Sequence, residues 1–242
     1  MKHGFIDKYS DLDSVIHRLD PRTKLVLGLA FILSIVGAPE KAWPAFGATF
    51  GLILVAAFLS RIPFIYILTR SAIIVPFVFL VTLFRVIPQG KEGFIAGAAI
   101  GFKAWLSALI LVLLSATTPF PLLLKGMEKL KVPSTLVQIL SFMYRYVFVV
   151  VDEAMRMERA WASRRAGNNW WASFRAMARV AGVLFIRSYE RAERVYQAML
   201  ARGFEGEVRT LNPLKFSFRD LVFSSVSAAC LGFIWILTAF GG

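Results

Sequence analysis

Among residue types able to do chemistry, arginine is plentiful in this chain and most others are scarce. Two arginine tripeptides, Ser163-Arg164-Arg165 and Ala201-Arg202-Gly203, each close a long basic segment with helical patterning. A guanidinium offers several directed hydrogen bonds to carboxylates or to helix-end carbonyls, which lysine cannot reproduce. The pair therefore reads as two equivalent docking points for a cytoplasmic partner. A cation beside the negative end of a helix dipole accounts for either arginine alone. It does not account for both carrying a small residue followed by arginine in the same setting.

Catalytic and cofactor constellations are sparse. His3, His17 and Cys230 cannot assemble a closed Cys/His metal site, so no metal, no cofactor and no catalytic residue is expected in this chain. The single cysteine allows no intrachain disulfide and reads as a small thiol buried in an apolar run. No GxxxxGK[ST] stretch occurs, which excludes ATP hydrolysis through a P-loop. Asp152, Glu153 and Glu158 are interleaved with Arg156 and Arg159 at helical spacings, the pattern of ion pairing along a solvated helix. Gly93, Gly97 and Gly101 repeat every four residues inside an apolar run, a helix-packing spacing and not a phosphate cradle.

The elements that must position these residues are membrane spans. Fifty-seven per cent hydrophobic residues, 22 Phe and a mean hydropathy of +0.64 exceed what a soluble domain carries. Five apolar runs approach the roughly 20 residues that cross hydrocarbon: about 25–38, 42–60, 64–84, 94–118 and 221–240. Arg70 and Pro76 interrupt the third, Lys103 sits early in the fourth, and Pro119 and Pro121 end it. The first twenty-four residues are polar and carry Asp7, Asp11, Asp13 and Asp20, unlike a signal peptide, so the chain is expected to keep its N-terminus.

The net charge of +13 lies mainly between spans, where cytoplasmic retention explains it and nucleic acid is not expected as a partner. Lys2, Lys8, Arg18, Arg22 and Lys24 precede the first run, and residues 119–220 hold 17 Lys+Arg against 9 Asp+Glu. A cytoplasmic N-terminus with an extracytoplasmic C-terminus puts every strongly basic interval inside.

The expected fold is an all-α integral membrane protein of about five transmembrane helices with a cytoplasmic coupling domain of long crossing helices. Its divisions are an N-terminal membrane region (1–118, four spans), a cytoplasmic or interfacial coupling-helix region (119–218) and a C-terminal transmembrane helix (219–242). Within the middle region a helix capped by Ser134 can run to about Arg165, roughly 48 Å at 1.5 Å per residue. It is apolar from Leu136 to Val151 and charged from Asp152, and Gly167-Asn168-Asn169 then supplies a turn. A second helix spans about Trp170 to Arg202, with Arg187, Arg191 and Arg194 on one stripe and Gly203 placed to stop it. Small residues, Ala154 and Ala162 in one helix and Ala172, Ala176, Ala178 and Gly182 in the other, would permit a tight crossing.

At this point three stretches resemble a known family, the transmembrane coupling (T) component of energy-coupling factor (ECF) transporters, and within it the cobalt-type CbiQ proteins. His17-Arg18-Leu19-Asp20-Pro21-Arg22-Thr23-Lys24 is similar to the family's approach to its first span. Ala201-Arg202-Gly203 matches its Ala-Arg-Gly signature closely. Ser163-Arg164-Arg165 departs from that signature at both flanking positions, and its register could instead centre on Arg165. The resemblance covers essentially the whole chain.

That resemblance implies a non-catalytic subunit of an ATP-driven importer in a bacterial or archaeal plasma membrane. The implied partners are two ATP-binding-cassette ATPases of CbiO type, which hold the ATP and Mg, a substrate-binding S component of CbiM type, and a small CbiN-type accessory subunit, all among membrane lipids. Ser163, Arg164, Arg165, Ala201, Arg202 and Gly203 become the implied ATPase contacts, and cobalt the implied substrate. Two rivals remain in view. An intramembrane enzyme acting on an anionic lipid-linked substrate would use Arg156, Arg159, Arg187, Arg191 and Arg194 for phosphate and Asp152 or Glu153 as base. A substrate-binding permease would need more midplane polar groups than Arg70 and Lys103 provide.

Overall fold

The computed structural model describes residue 12 and residues 14–163, 170–206 and 217–241. Among them stand eight α-helices: α1 (Pro21–Gly37), α2 (Trp43–Ser60), α3 (Phe64–Ser71), α4 (Val75–Thr117), α5 (Phe120–Lys129), α6 (Ser134–Ala162), α7 (Trp170–Leu200) and α8 (Phe218–Gly241). The described residues contain no strand. Contacts divide the chain into two units, Met1–Leu130 with Leu214–Gly242, and Lys131–Pro213.

In the first unit α1 packs against α4, α5 and α8, while α2 packs against α4 and α8. Phe46, Ile67, Leu106 and Ala99 fill its centre, and Trp43, Phe46, Phe50, Phe102 and Trp105 form a continuous aromatic layer beside them. The outward positions are equally apolar: Phe58 is 86% exposed, and Ile65 and Ile73 are 75% exposed. Water would penalise such a surface, whereas acyl chains do not.

Five helical segments are long and apolar enough to cross a membrane: Trp43–Ser60, Phe64–Ile87, Gly93–Thr117, Ser134–Ala162 and Phe218–Thr238. Four coincide with runs expected from sequence. The fifth is α6, whose crossing the sequence left open, and it stands in place of the first run. The corresponding helix, α1, has 17 residues, or about 26 Å, short of the roughly 30 Å hydrocarbon core. It is nonetheless packed within the same bundle as α2, α4 and α8.

Proline and glycine punctuate these helices. Pro21 and Pro76 stand in the first turns of α1 and α4, where no backbone donor is lost, and a 3-10 turn at Ala72–Ile74 joins α3 to α4. Pro119 precedes α5 in an extended conformation. Helix α6 begins at Ser134 itself, with Pro133 in the cap position and no side-chain capping bond, so Ser134 is not the N-cap expected from sequence. Pro133 holds φ at −50°, which already directs the chain into the helix.

Helix α4 reverses at Gly90, whose φ of 58° and ψ of −126° suit glycine alone, and becomes a hairpin of two spans. The GxxxG face closes it. A Cβ on Gly97 would lie 2.9 Å from the Thr82 backbone, and one on Gly101 would lie 2.3 Å from a Val78 methyl. Leucine at Gly97 is therefore expected to force the arms apart and lower stability by about 1–3 kcal/mol. Unfolding of the purified chain in detergent measures it, with Gly51→Leu, where no atom lies within 4 Å, as the tolerated control.

In the second unit α6 and α7 pack together as an antiparallel pair. Gln138 near the start of α6 donates to the Gly206 carbonyl beyond the end of α7, at 2.8 Å, and Glu153 in the second half of α6 accepts from Arg187 in the middle of α7. The small-residue crossing expected from sequence does not extend to Gly182, beside which a Cβ would meet nothing within 4 Å. The Glu153–Arg187 bridge also links the helices.

Candidate functional site

The two signature stretches stand at the ends of these two helices. At the first, the Ser163 N–H donates to Arg159 and its hydroxyl donates to the Ala160 carbonyl at 3.0 Å, closing α6. Arg164 and Arg165 lie outside the described residues, as does Gly167-Asn168-Asn169. At the second, Gly203 has a φ of 78°, its N–H donates to Leu200, and the Phe204 N–H donates to Met199. This is a Schellman stop, and a side chain at residue 203 would strain it. Glycine is therefore explained by backbone geometry, while Arg202, just ahead of it, is left exposed.

The pair does not form one pocket. The Gln138–Gly206 bond ties the second signature's loop to the beginning of α6, whereas Ser163 marks the other end. About 25 residues of helix, or roughly 38 Å, lie between Gln138 and Ser163. Ser163 and Arg202 thus stand at opposite ends of the antiparallel pair. Trp171, Met177, Phe185 and Ile186 of α7 and Leu136, Ile139 and Met143 of α6 are all exposed. In α6 only Val137 is buried.

Several basic side chains are already engaged. Glu153 accepts from Arg156 at 2.5 Å and also from Arg187, and Arg194 lies 3.9 Å from Glu190. The stripe required by a phosphate-binding enzyme is thus partly neutralised within the pair. Lys103 points its ammonium at the Ala38 and Val36 carbonyls, at the end of α1, and sits over the Phe46 ring. There it compensates a helix end and is no midplane binding group.

The stretch from His17 to Lys24 folds into a buried polar knot. Asp20 caps α1 by accepting the Arg22 N–H at 2.8 Å, and its own N–H donates to Asp220 Oδ1 at 2.7 Å. The second Asp220 oxygen accepts the Ser217 N–H at 2.8 Å. Lys24 Nζ donates to the Thr117 carbonyl and the Thr118 hydroxyl, each at 3.0 Å, and to the His17 carbonyl at 3.3 Å. Asp20, Lys24, Thr117, Thr118 and Asp220 are all buried. One end of the bundle therefore holds the start of α1, the end of α4 and the start of α8. Sequence reading placed Asp20 and Lys24 in a structural segment but missed Thr117, Thr118 and Asp220; the lone acid at the head of the last apolar run was the available signal.

A helical bundle with an apolar exterior, in a chain that inserts a long antiparallel helix pair between α5 and α8, defines a multi-pass membrane protein. Residues 13–212 match the family CbiQ, described as cobalt transport protein, and the chain belongs to that family. It is 30% identical to the cobalt transport protein CbiQ of Rhodobacter capsulatus, over 78% of this chain and 80% of the relative. It is also 30% identical to the energy-coupling factor transporter transmembrane protein EcfT of Thermanaerovibrio acidaminovorans, over 95% of each chain. A shorter match, 29% identical over 40% of this chain and 16% of the relative, is to a putative fused cobalt transport protein CbiMQ of Methanocorpusculum labreanum. The chain is accordingly a transmembrane component of an ECF transporter.

Proposed function

We propose that this chain couples two ATP-binding-cassette ATPases to a separate substrate-binding subunit in a cobalt importer. ATP and Mg reside in the ATPases, and α6 and α7 carry their motion. Arg202 docks in a groove of one ATPase, with Ala201 and Gly203 permitting close approach. Arg164, flanked by Ser163 and Arg165, serves the other. The observation that carries this reading is the exposed Arg202 on a Schellman stop, remote along α6 from Ser163. Closure of two ATPases on ATP would pull the ends of a stiff pair in different directions and change its angle.

The fused CbiMQ relative supports a CbiM-type substrate-binding partner, and cobalt follows from the relatives' names. The division into 1–118, 119–218 and 219–242 and the cytoplasmic N-terminus belong to the same proposal. In its favour, the start of α1, the end of α4 and the start of α8 share one end of the bundle, rich in Arg18, Arg22, Arg61 and Arg219. The excursion through residues 119–217 must then cross the membrane an even number of times. Since α6 qualifies as a crossing and α7 does not, α6 lies along the interface, and the other four candidates together with the shorter α1 make five spans with an extracytoplasmic C-terminus.

Affinity purification of the chain from its native membrane tests the assignment. Two ATPase copies, an S component and cobalt-stimulated uptake by the reconstituted complex are expected, with no ATP turnover by the chain alone. Turnover of a lipid-linked substrate by the isolated chain would establish the enzyme reading instead.

A further inference from the structure

The polar knot borders a feature that coupling does not use. An apolar cavity of about 630 Å³ opens between α1, α2, α4 and α8, walled by Phe31, Leu52, Ile53, Leu113, Val226 and their neighbours. Its mouth is a second hollow of about 400 Å³ that shares Val15, Leu59 and Arg219 with it and adds Arg18 and Arg61. From Arg219 to Cys230 the cavity follows about 17 Å of α8, a depth suited to much of an acyl chain. The size is that of a ligand site.

We propose that this site holds one anionic phospholipid, its phosphate between Arg18, Arg61 and Arg219 and an acyl chain in the cavity. Charge complementarity selects this occupant: three guanidiniums rim the opening, and behind them the wall is hydrocarbon except at Lys24 and a few hydroxyls. Neither Arg61 nor Arg219 has a carboxylate partner among the described residues. Arg61 stands at the C-cap of α2 with a φ of 56°, a left-handed conformation that glycine would hold without strain. A free phosphate would leave the apolar volume unfilled, and a neutral lipid would leave Arg61 and Arg219 without an anion. The seat lies at the end of the bundle where the basic residues gather, so the lipid belongs to that leaflet. The inference stands independently of the coupling role.

The test uses the full chain purified in detergent and titrated, under native mass spectrometry, with phosphatidylglycerol, with phosphatidylcholine of identical acyl chains and with glycerol phosphate. One phosphatidylglycerol should be retained at least about tenfold better than phosphatidylcholine, and glycerol phosphate should not be retained. Arg61→Gln with Arg219→Gln should weaken phosphatidylglycerol about 30-fold, to the level of phosphatidylcholine. Val226→Trp, which fills the cavity, should expel both lipids. The wild-type comparison keeps its force even if these variants fold poorly. Equal retention of the two lipids overturns the proposal, as does glycerol phosphate binding as well as the lipid. A photo-reactive residue at Leu59 that captures a protein subunit instead of lipid in the intact complex overturns it as well.

Discussion

Arg202→Ala is expected to weaken ATPase association by about 2–4 kcal/mol, roughly 30- to 1000-fold, and to reduce ATP-driven uptake accordingly. The reasoning rests on what Arg202 does not do at home. The last carbonyls of α7 are satisfied by the Gly203 and Phe204 N–H groups, so the side chain is not needed to end the helix. A residue that served only the helix dipole would be replaced fully by lysine, which carries the same charge. A residue seated in a groove by several directed hydrogen bonds would not. Arg202→Lys should therefore recover only a small part of the lost association, and Arg164→Ala combined with Arg202→Ala should abolish coupled uptake. Substrate binding by the isolated S component should stay intact throughout. Pull-down of the ATPases and uptake into proteoliposomes provide the measurements, and full uptake by the double variant would end the coupling account.

The second large effect is expected at Lys24. Methionine there would remove three hydrogen bonds and leave the carboxylates of Asp20 and Asp220 buried without the ammonium that they attract. Each buried acceptor left without its donor costs about 1–3 kcal/mol, so a loss of about 3–5 kcal/mol is expected. For a chain of this size the thermal midpoint should fall by roughly 10 °C. Asp220→Asn added to Lys24→Met should cost less than the two changes summed, because both act on the same buried polar cluster. A solvated basic residue before a span would instead change stability by less than about 0.5 kcal/mol. Thermal unfolding of the detergent-solubilised variants distinguishes the two.

Helix positions were largely legible in the sequence, since apolar runs and prolines act locally. Pro76, Pro119 and the Gly203 stop all stand where residue chemistry put them. What escaped was long-range pairing. Asp220 reads as an ordinary acid at a helix start, yet its partner is 200 residues away. Gln138 gave no sign that it would hold the loop after the second signature. The alanine and glycine spacing in α6 and α7 suggested a tight crossing, but spacing does not specify which face meets the partner helix, and Gly182 faces open space. Of the six signature positions, Ala201, Arg202, Gly203 and Ser163 fall among the described residues, and Gly203 has its backbone reason there.

The Asp20–Asp220 bond also bears on biogenesis. The ribosome delivers α1 first and α8 last, so the N–H of Asp20 waits through nearly the entire synthesis of the chain for its acceptor. Lys24 finds Thr117 and Thr118 earlier, once α4 is made, and can hold α1 provisionally. Completion of α8 then latches the first helix of the bundle. A chain stalled before residue 217 would lack the acceptor for the Asp20 N–H and leave the polar cluster half closed.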